Sequence, residues 1–228
     1  MIWGAFCSMA SSIGSAISSA FSSAASVITS ACSNIISVAG NVIEKGIEAF
    51  HSFANTIETV LQAVGVIPPQ EKIEDLGDRA HQAERAGISP DNFPEFDEYM
   101  AAIRAFKLDP EQSKAVDPMV KLTVGLGVAS RILEHKLDAP DGSGVELMGL
   151  VAQNPEYLTA DRMVSILSKT SDIASVVEYF NGRLEPQQSL STEKVLVEAE
   201  KSLSPNKDER TIYAELDSAS RTTQNLDH

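Results

Sequence analysis

No Lys, Arg, Asp or Glu occurs between Met1 and Ile43. A segment without charge has no ion pairs and no charged outer face to hold it in water. It must bury its apolar side chains and satisfy its hydroxyls locally. Residues 11–32, SSIGSAISSAFSSAASVITSAC, consist almost wholly of Ser and Ala around single Ile, Phe and Val residues. Read at a step of eleven, the apolar and small positions fall into lines. Phe6, Ile17, Ile28, Ala39, Phe50 and Leu61 form one; Ile2, Ile13, Ala24, Ile35, Gly46 and Ile57 form a second. Met9, Ala20, Ala31, Val42, Phe53 and Val64 form a third, and Ala10, Phe21, Cys32, Ile43, Ala54 and Gly65 a fourth.

Eleven residues in three turns is about 3.67 per turn, close to the natural helix period, so such a stripe stays on one face. The spacing predicts a single, nearly straight helix over residues 3–65, roughly 90 Å long. Val66-Ile-Pro-Pro ends it, because two prolines cannot continue a helix. Folding as two or three shorter helices, turning near Gly14, Gly40 or Gly46, is the alternative. A long helix cannot bury its stripe on a domain of ordinary size. Its side chains are then expected to meet copies of the chain, a partner helix or lipid. The stripe residues assigned that role are Phe6, Met9, Ile13, Ile17, Phe21, Ile28, Ile35, Val42, Phe50, Phe53, Ile57 and Leu61.

Charge and composition exclude some partners. The 228-residue chain has a net charge of −14, which disfavours nucleic-acid contact through a basic surface. The first cation is Lys45, so the start has no cationic region of the kind that opens an ordinary signal peptide. Twelve serines between Met1 and Ile43 are too many for a lone lipid-facing helix. Entry into a membrane requires another helix, or water, against the Ser face.

After Pro68 the signals are helical and strand signals are absent, so the chain reads as all-α. Residues 70–86 form a polar helix that stops at Gly87. Residues 94–106 place Phe96, Tyr99, Ile103 and Phe106 on one face. Asp109-Pro110 and Asp117-Pro118 each read as a cap followed by Pro at the first helical position. The second opens the most apolar helix, residues 119–137, where Gly125 and Gly127 invite close approach by a neighbour. Thr159 caps a helix over 160–168, and Ser171 or Asp172 opens one that runs through Phe180. Residues 192–203 and 208–219 are amphipathic but polar, and 221–228 are expected to fray. Three units follow: a Ser/Ala-rich helix at 1–67, an acidic helical domain at 68–185, and a polar, partly flexible tail at 186–228.

No constellation of catalytic residues stands out. His51, His81, His135 and His228 are scattered, and none sits at metal-ligand spacing from Cys7 or Cys32. Glu134-His135 lacks the second His of a metalloprotease helix. Gly142-Ser143-Gly144 follows no strand and reads as a turn rather than a nucleophile elbow. Asp138 and Asp141 lack the spacing of a calcium loop. Glu95, Asp97 and Glu98 read as a solvated face. No metal, cofactor or enzymatic activity is expected.

In design, the uncharged eleven-residue comb resembles phage pilot and DNA-ejection proteins and the hydrophobic segments of secreted pore-forming translocators. The likeness covers less than a third of the chain and matches no family motif. It implies a component of a phage-like or secreted particle, partnered by copies of itself and other particle proteins, with a target membrane as destination. The competing expectations are a purely structural tail, tube or spike component, and a helical adaptor that never meets lipid. Asp at both Ile17 and Ile28 is expected to abolish multimerisation, read as mass by light scattering, because each would bury an unpaired carboxylate on the stripe.

Overall fold

The computed structural model describes residues 2–20 and 27–224, with side chains for 10–19 and 28–224. Every described element is helical, as the sequence predicts. The uncharged segment gives α1 (Ile2–Ala20), α2 (Val27–Val38) and α3 (Gly40–Ile43), and α4 (Ile47–Ala63) follows. Next come α5 (Ile73–Arg85), a 3-10 turn (Pro90–Asn92), α6 (Phe96–Ala105), α7 (Pro110–Ala115) and α8 (Pro118–Leu137). The chain closes with α9 (Ser143–Gln153), α10 (Ala160–Leu167), α11 (Ile173–Phe180), α12 (Pro186–Leu203) and α13 (Glu209–Gln224).

The single helix expected over residues 3–65 does not form. Ala39 leaves the helical region at φ −99°, ψ 13°. Gly46 sits at φ 100°, ψ 178°, a conformation essentially restricted to glycine, and the chain turns there. Gly40 and Gly46 thus mark turns as the alternative reading had it, whereas Gly14 lies inside α1. The reason is energetic. A stripe of isoleucines laid out straight stays wet unless a partner arrives, and folding back buries it at once.

The place it folds onto is α8. This helix buries Val120, Leu122, Val124, Leu126, Val128, Ile132 and Leu133 and packs against α1, α2, α4, α5 and α9. Its approach to α5 is backbone to backbone. A Cβ on Gly77 would lie 1.9 Å from the Lys121 carbonyl oxygen, and one on Gly125 would lie 2.0 Å from that of Ile73. On the far side of α8, a Cβ on Gly127 would meet Cys32 Sγ of α2 at 2.9 Å. Gly149 of α9 gives the same room to Val38, whose Cβ would be 2.9 Å away.

The predicted caps are in place. Asp109 accepts from Glu111 N at 2.9 Å, Asp117 from Met119 N at 2.8 Å and Asp172 from Ser175 N at 3.0 Å. Thr159 accepts from Arg162 N at 3.4 Å. The stretches 1–67, 68–185 and 186–228 contribute to one apolar cluster, which runs in sequence from Ile13 to Ala219. Within the last of them, α13 stays helical to Gln224, past the point where fraying was expected, and buries Ile212, Leu216 and Ala219. Residues 225–228 lie outside the described residues.

Gly125→Ala is expected to destabilise the protein by at least 1–3 kcal/mol, because the new methyl meets immovable backbone. Gly14→Ala, with nothing within 4 Å of the added carbon, is expected to be neutral or to stabilise by roughly 0.5–1 kcal/mol. Urea midpoints of the two variants check the pair.

Candidate functional site

The stripe residues have a common destination inside the chain. Ile13, Ile17, Ile28, Ile35, Val42, Phe50, Phe53, Ile57 and Leu61 are all buried in the one core. Phe6 and Met9 fall within α1, but their side chains lie outside the described set; Phe21 lies outside the described residues. The outward face of α1 and α2 carries Ser11, Ser12, Ser15, Ser18, Ser19, Ser30 and Ser33. Where bonded, these hydroxyls turn back on their own helix: Ser19 donates to Ala16 O at 2.8 Å and Ser33 to Thr29 O at 3.0 Å.

What fastens this segment differs from what fastens the rest. Among the described residues before Lys45, one side-chain hydrogen bond reaches the remainder of the chain, from Asn41 Nδ2 to Ala152 O at 3.0 Å. The other contacts described for this segment are apolar, centred on Ile13, Ile17, Ile28 and Ile35. Cys32 is sealed against Gly127, and burial pushes its thiol up to about 12.

The body beyond α3 is cross-tied by buried ions. Glu58 of α4 accepts from Lys72 at 2.7 Å and from Ile73 N at 2.9 Å, capping α5, which has no side-chain cap of its own. Arg104 grips Glu71 with two bonds, of 3.0 and 2.9 Å. Asp78 takes Gln82 Nε2 at 2.9 Å, Lys121 Nζ at 3.4 Å and the Ser113 hydroxyl, and Gln82 in turn clasps Asp109. Glu134 of α8 caps α9 from outside, accepting from Gly142 N at 3.0 Å and Gly144 N at 2.9 Å, with Arg131 alongside. Burial raises the Glu134 carboxyl above its usual range, against the pull of Gly144 N–H and Arg131.

A fifth centre joins α10 to α12 and reaches α13 through Glu215, which pairs with Lys207. Glu200 is paired with Arg162 and lies 3.2 Å from Lys207, and Arg162 stacks over the Tyr157 ring at 4.0 Å. Burial opposes ionisation of Glu200, yet Arg162 and Lys207 outweigh it and hold the carboxyl below its usual range.

These groups are structural in geometry. Buried Ser130, Ser143 and Ser165 donate to the carbonyls of Gly127, Pro140 and Ala199, so none is presented to a base. Gly142-Ser143-Gly144, read from sequence as a turn, is the capped start of α9. Asp141 pairs with Arg131 at 2.9 Å. Among the described residues, no group of three or more His, Cys, Asp or Glu is placed to hold a metal ion. His81 is buried on α5, where burial and then Arg85 lower its pKa, and His135 lies 3.4 Å from Asp97 across α6 and α8. No family model, curated protein or solved structure matches this chain.

Sequence reasoning missed the carboxylates that cap a neighbouring helix. Glu134 stood as half of an unfinished metal motif, and Glu58 had no role assigned from sequence. Their one sequence signal was Lys72 and Gly142 at helix starts, where a capping side chain is expected.

Glu200→Gln is expected to cost about 2 kcal/mol or more at pH 7, since Arg162 and Lys207 lose their buried partner. The wild-type contribution is fully present above the unfolded glutamate pKa of about 4.3 and is lost as pH falls through the depressed folded value. The gap between variant and wild type should therefore close with falling pH in urea titrations at pH 7 and pH 3.

Proposed function

We propose that the chain is a non-enzymatic component of a phage-like or secretion-type particle. It stores its uncharged N-terminal segment in the core of a helical body. It deploys that segment to multimerise into a tube or pore, or to penetrate a target membrane. One observation carries the reading. Among the described residues, the segment before Lys45 is docked by apolar contact and one amide hydrogen bond, while the body behind it is pinned by ion pairs built on buried carboxylates. Apolar contacts are non-directional, so a second apolar surface can replace them. A buried ion pair cannot be handed over in that way. The division marks which part is built to leave and which to stay.

Release into bare water is not an option. Ile13, Ile17, Ile28, Ile35, Val42 and Ile43 are buried, and exposing each costs about 1.5–3 kcal/mol, on the order of 10 kcal/mol together. That is comparable to the whole stability of a typical domain. Deployment must therefore be coupled to a receiving surface, either copies of the same segment or lipid. No described helix is long and apolar enough to cross a membrane, so passage runs through an assembled bundle with the hydroxyls inward. The second reading is a structural tail, tube or spike component, or an adaptor, that never meets lipid. The complete burial of the described stripe in the chain's own core favours it.

A reversible lock separates the two. A Cβ on residue 127 lies 2.9 Å from Cys32 Sγ, close to the roughly 3 Å that an S–S bond of ~2.05 Å requires. Gly127→Cys, in a Cys7→Ser background, should cross-link α2 to α8 when oxidised. Multimerisation by light scattering and dye release from liposomes are expected from the reduced protein and not from the oxidised one. Equal activity of the two forms would sink storage and release. Inactivity of both would leave the structural reading. The lock also replaces the Asp test at Ile17 and Ile28: both are core residues here, so those substitutions would unfold the monomer as well.

A further inference from the structure

At the corner where α3 and α4 pack on α9 and α10, the contact is incomplete. A cleft of about 350 Å³ opens, walled by Val42, Phe53, Val151 and Leu158, with the hydroxyls of Ser52, Thr56 and Thr159 on one side and Ala49 on its flank. That volume is within the ~300–1,000 Å³ span of small-molecule sites. Nearby, α2 and α9 meet tightly through a glycine, whereas this corner stays open. An apolar occupant gains free energy there by displacing water from the Val42, Phe53, Val151 and Leu158 side chains.

The rim indicates what kind. Lys45 lines the cleft, and no carboxylate comes within ion-pair distance of its ammonium among the described residues. Glu48, in the next turn, lines an adjoining shallow groove with His51 and Asn55, which shares Ser52, Thr56 and Ala160 with the cleft. Apolar walls with one unpaired cation at the mouth complement an apolar tail with one anionic head. The space suits one short chain and is too small for the two chains of a phospholipid.

We propose that this cleft is a binding site for a free single-chain alkyl carboxylate. The tail lies between Phe53 and Leu158, and the carboxylate pairs with Lys45. The site stands apart from the proposed deployment, but it has a bearing on it. A ligand there bridges α3 and α4 to α9 and α10, and so stabilises the docked state in proportion to its occupancy.

The test is calorimetric titration of the full-length protein with decanoate, kept below its micelle concentration, beside decyltrimethylammonium. Wild type should bind one decanoate saturably, gain thermal stability, and prefer it to the cation. Lys45→Met keeps the aliphatic stem and should weaken decanoate roughly tenfold, about 1.4 kcal/mol. Ala49→Trp fills the cleft and should abolish binding while circular dichroism stays native. If that variant misfolds, Ala160→Phe fills the cleft from the opposite wall. Absence of saturable binding, undiminished binding to a folded cleft-filled variant, or equal affinity for the two head groups would each overturn the proposal. So would a concentration-dependent dimer that Ala49→Trp disperses, which would give the cleft to a second copy.

Discussion

Gly77 and Gly125 let α5 and α8 meet at backbone distance, and the other packing decisions follow from that crossing. With α5 held so close, α8 becomes the axis of the fold, buried along most of its length. Its remaining faces are open to α2 and α9, which are again received across glycines, at 127 and 144. Interiors packed to crystal-like density have no slack to absorb a methyl group. The small residues of α8 and α9 therefore select what can lie against them. A charge-free helix of Ser, Ala, Cys and single isoleucines fits; a helix carrying Lys or Glu on that face would have to bury an ion.

Polar chemistry is confined to the joints. Glu58 and Glu134 reach from one helix to the bare start of another, doing in three dimensions what Asp109, Asp117 and Asp172 do locally. A carboxylate at a helix start meets unbonded N–H groups and the positive end of the dipole, which offsets much of the cost of burying it. Each such cap also fixes the angle between two helices. The Arg162, Glu200 and Lys207 centre does the same for α10, α12 and α13. Where the chain has charges it uses them to hold geometry, and where it has none it depends on shape.

Local chemistry was readable from the sequence. Asp-Pro pairs marked two helix starts, Thr159 and Asp172 two more, and Gly125 with Gly127 announced a close neighbour before that neighbour was known. Among the described residues, Ile13, Ile17, Ile28 and Ile35 of the eleven-residue lines lie on the buried face. The period could not say against what, because a period encodes a face and not a partner. The turn at Gly46 depends on a backbone angle that glycine permits without requiring. The ion pairs span distances no local pattern reveals; Arg162 and Glu200 are thirty-eight residues apart. For the same reason the cleft beside Lys45 was illegible, since Phe53 and Leu158 share no motif and meet only because α4 folds back.

Cys32 has a consequence of its own. Sealed against Gly127, with its thiol pushed up to about 12, it is chemically silent while α2 is docked. Once α2 lifts away, the same sulfur becomes an ordinary solvent-exposed thiol with the reactivity of any free cysteine. In a Cys7→Ser background, the rate at which it is alkylated is therefore a clock on the opening of the core, read at one atom. The molecule has its own gauge of how often the segment leaves its seat.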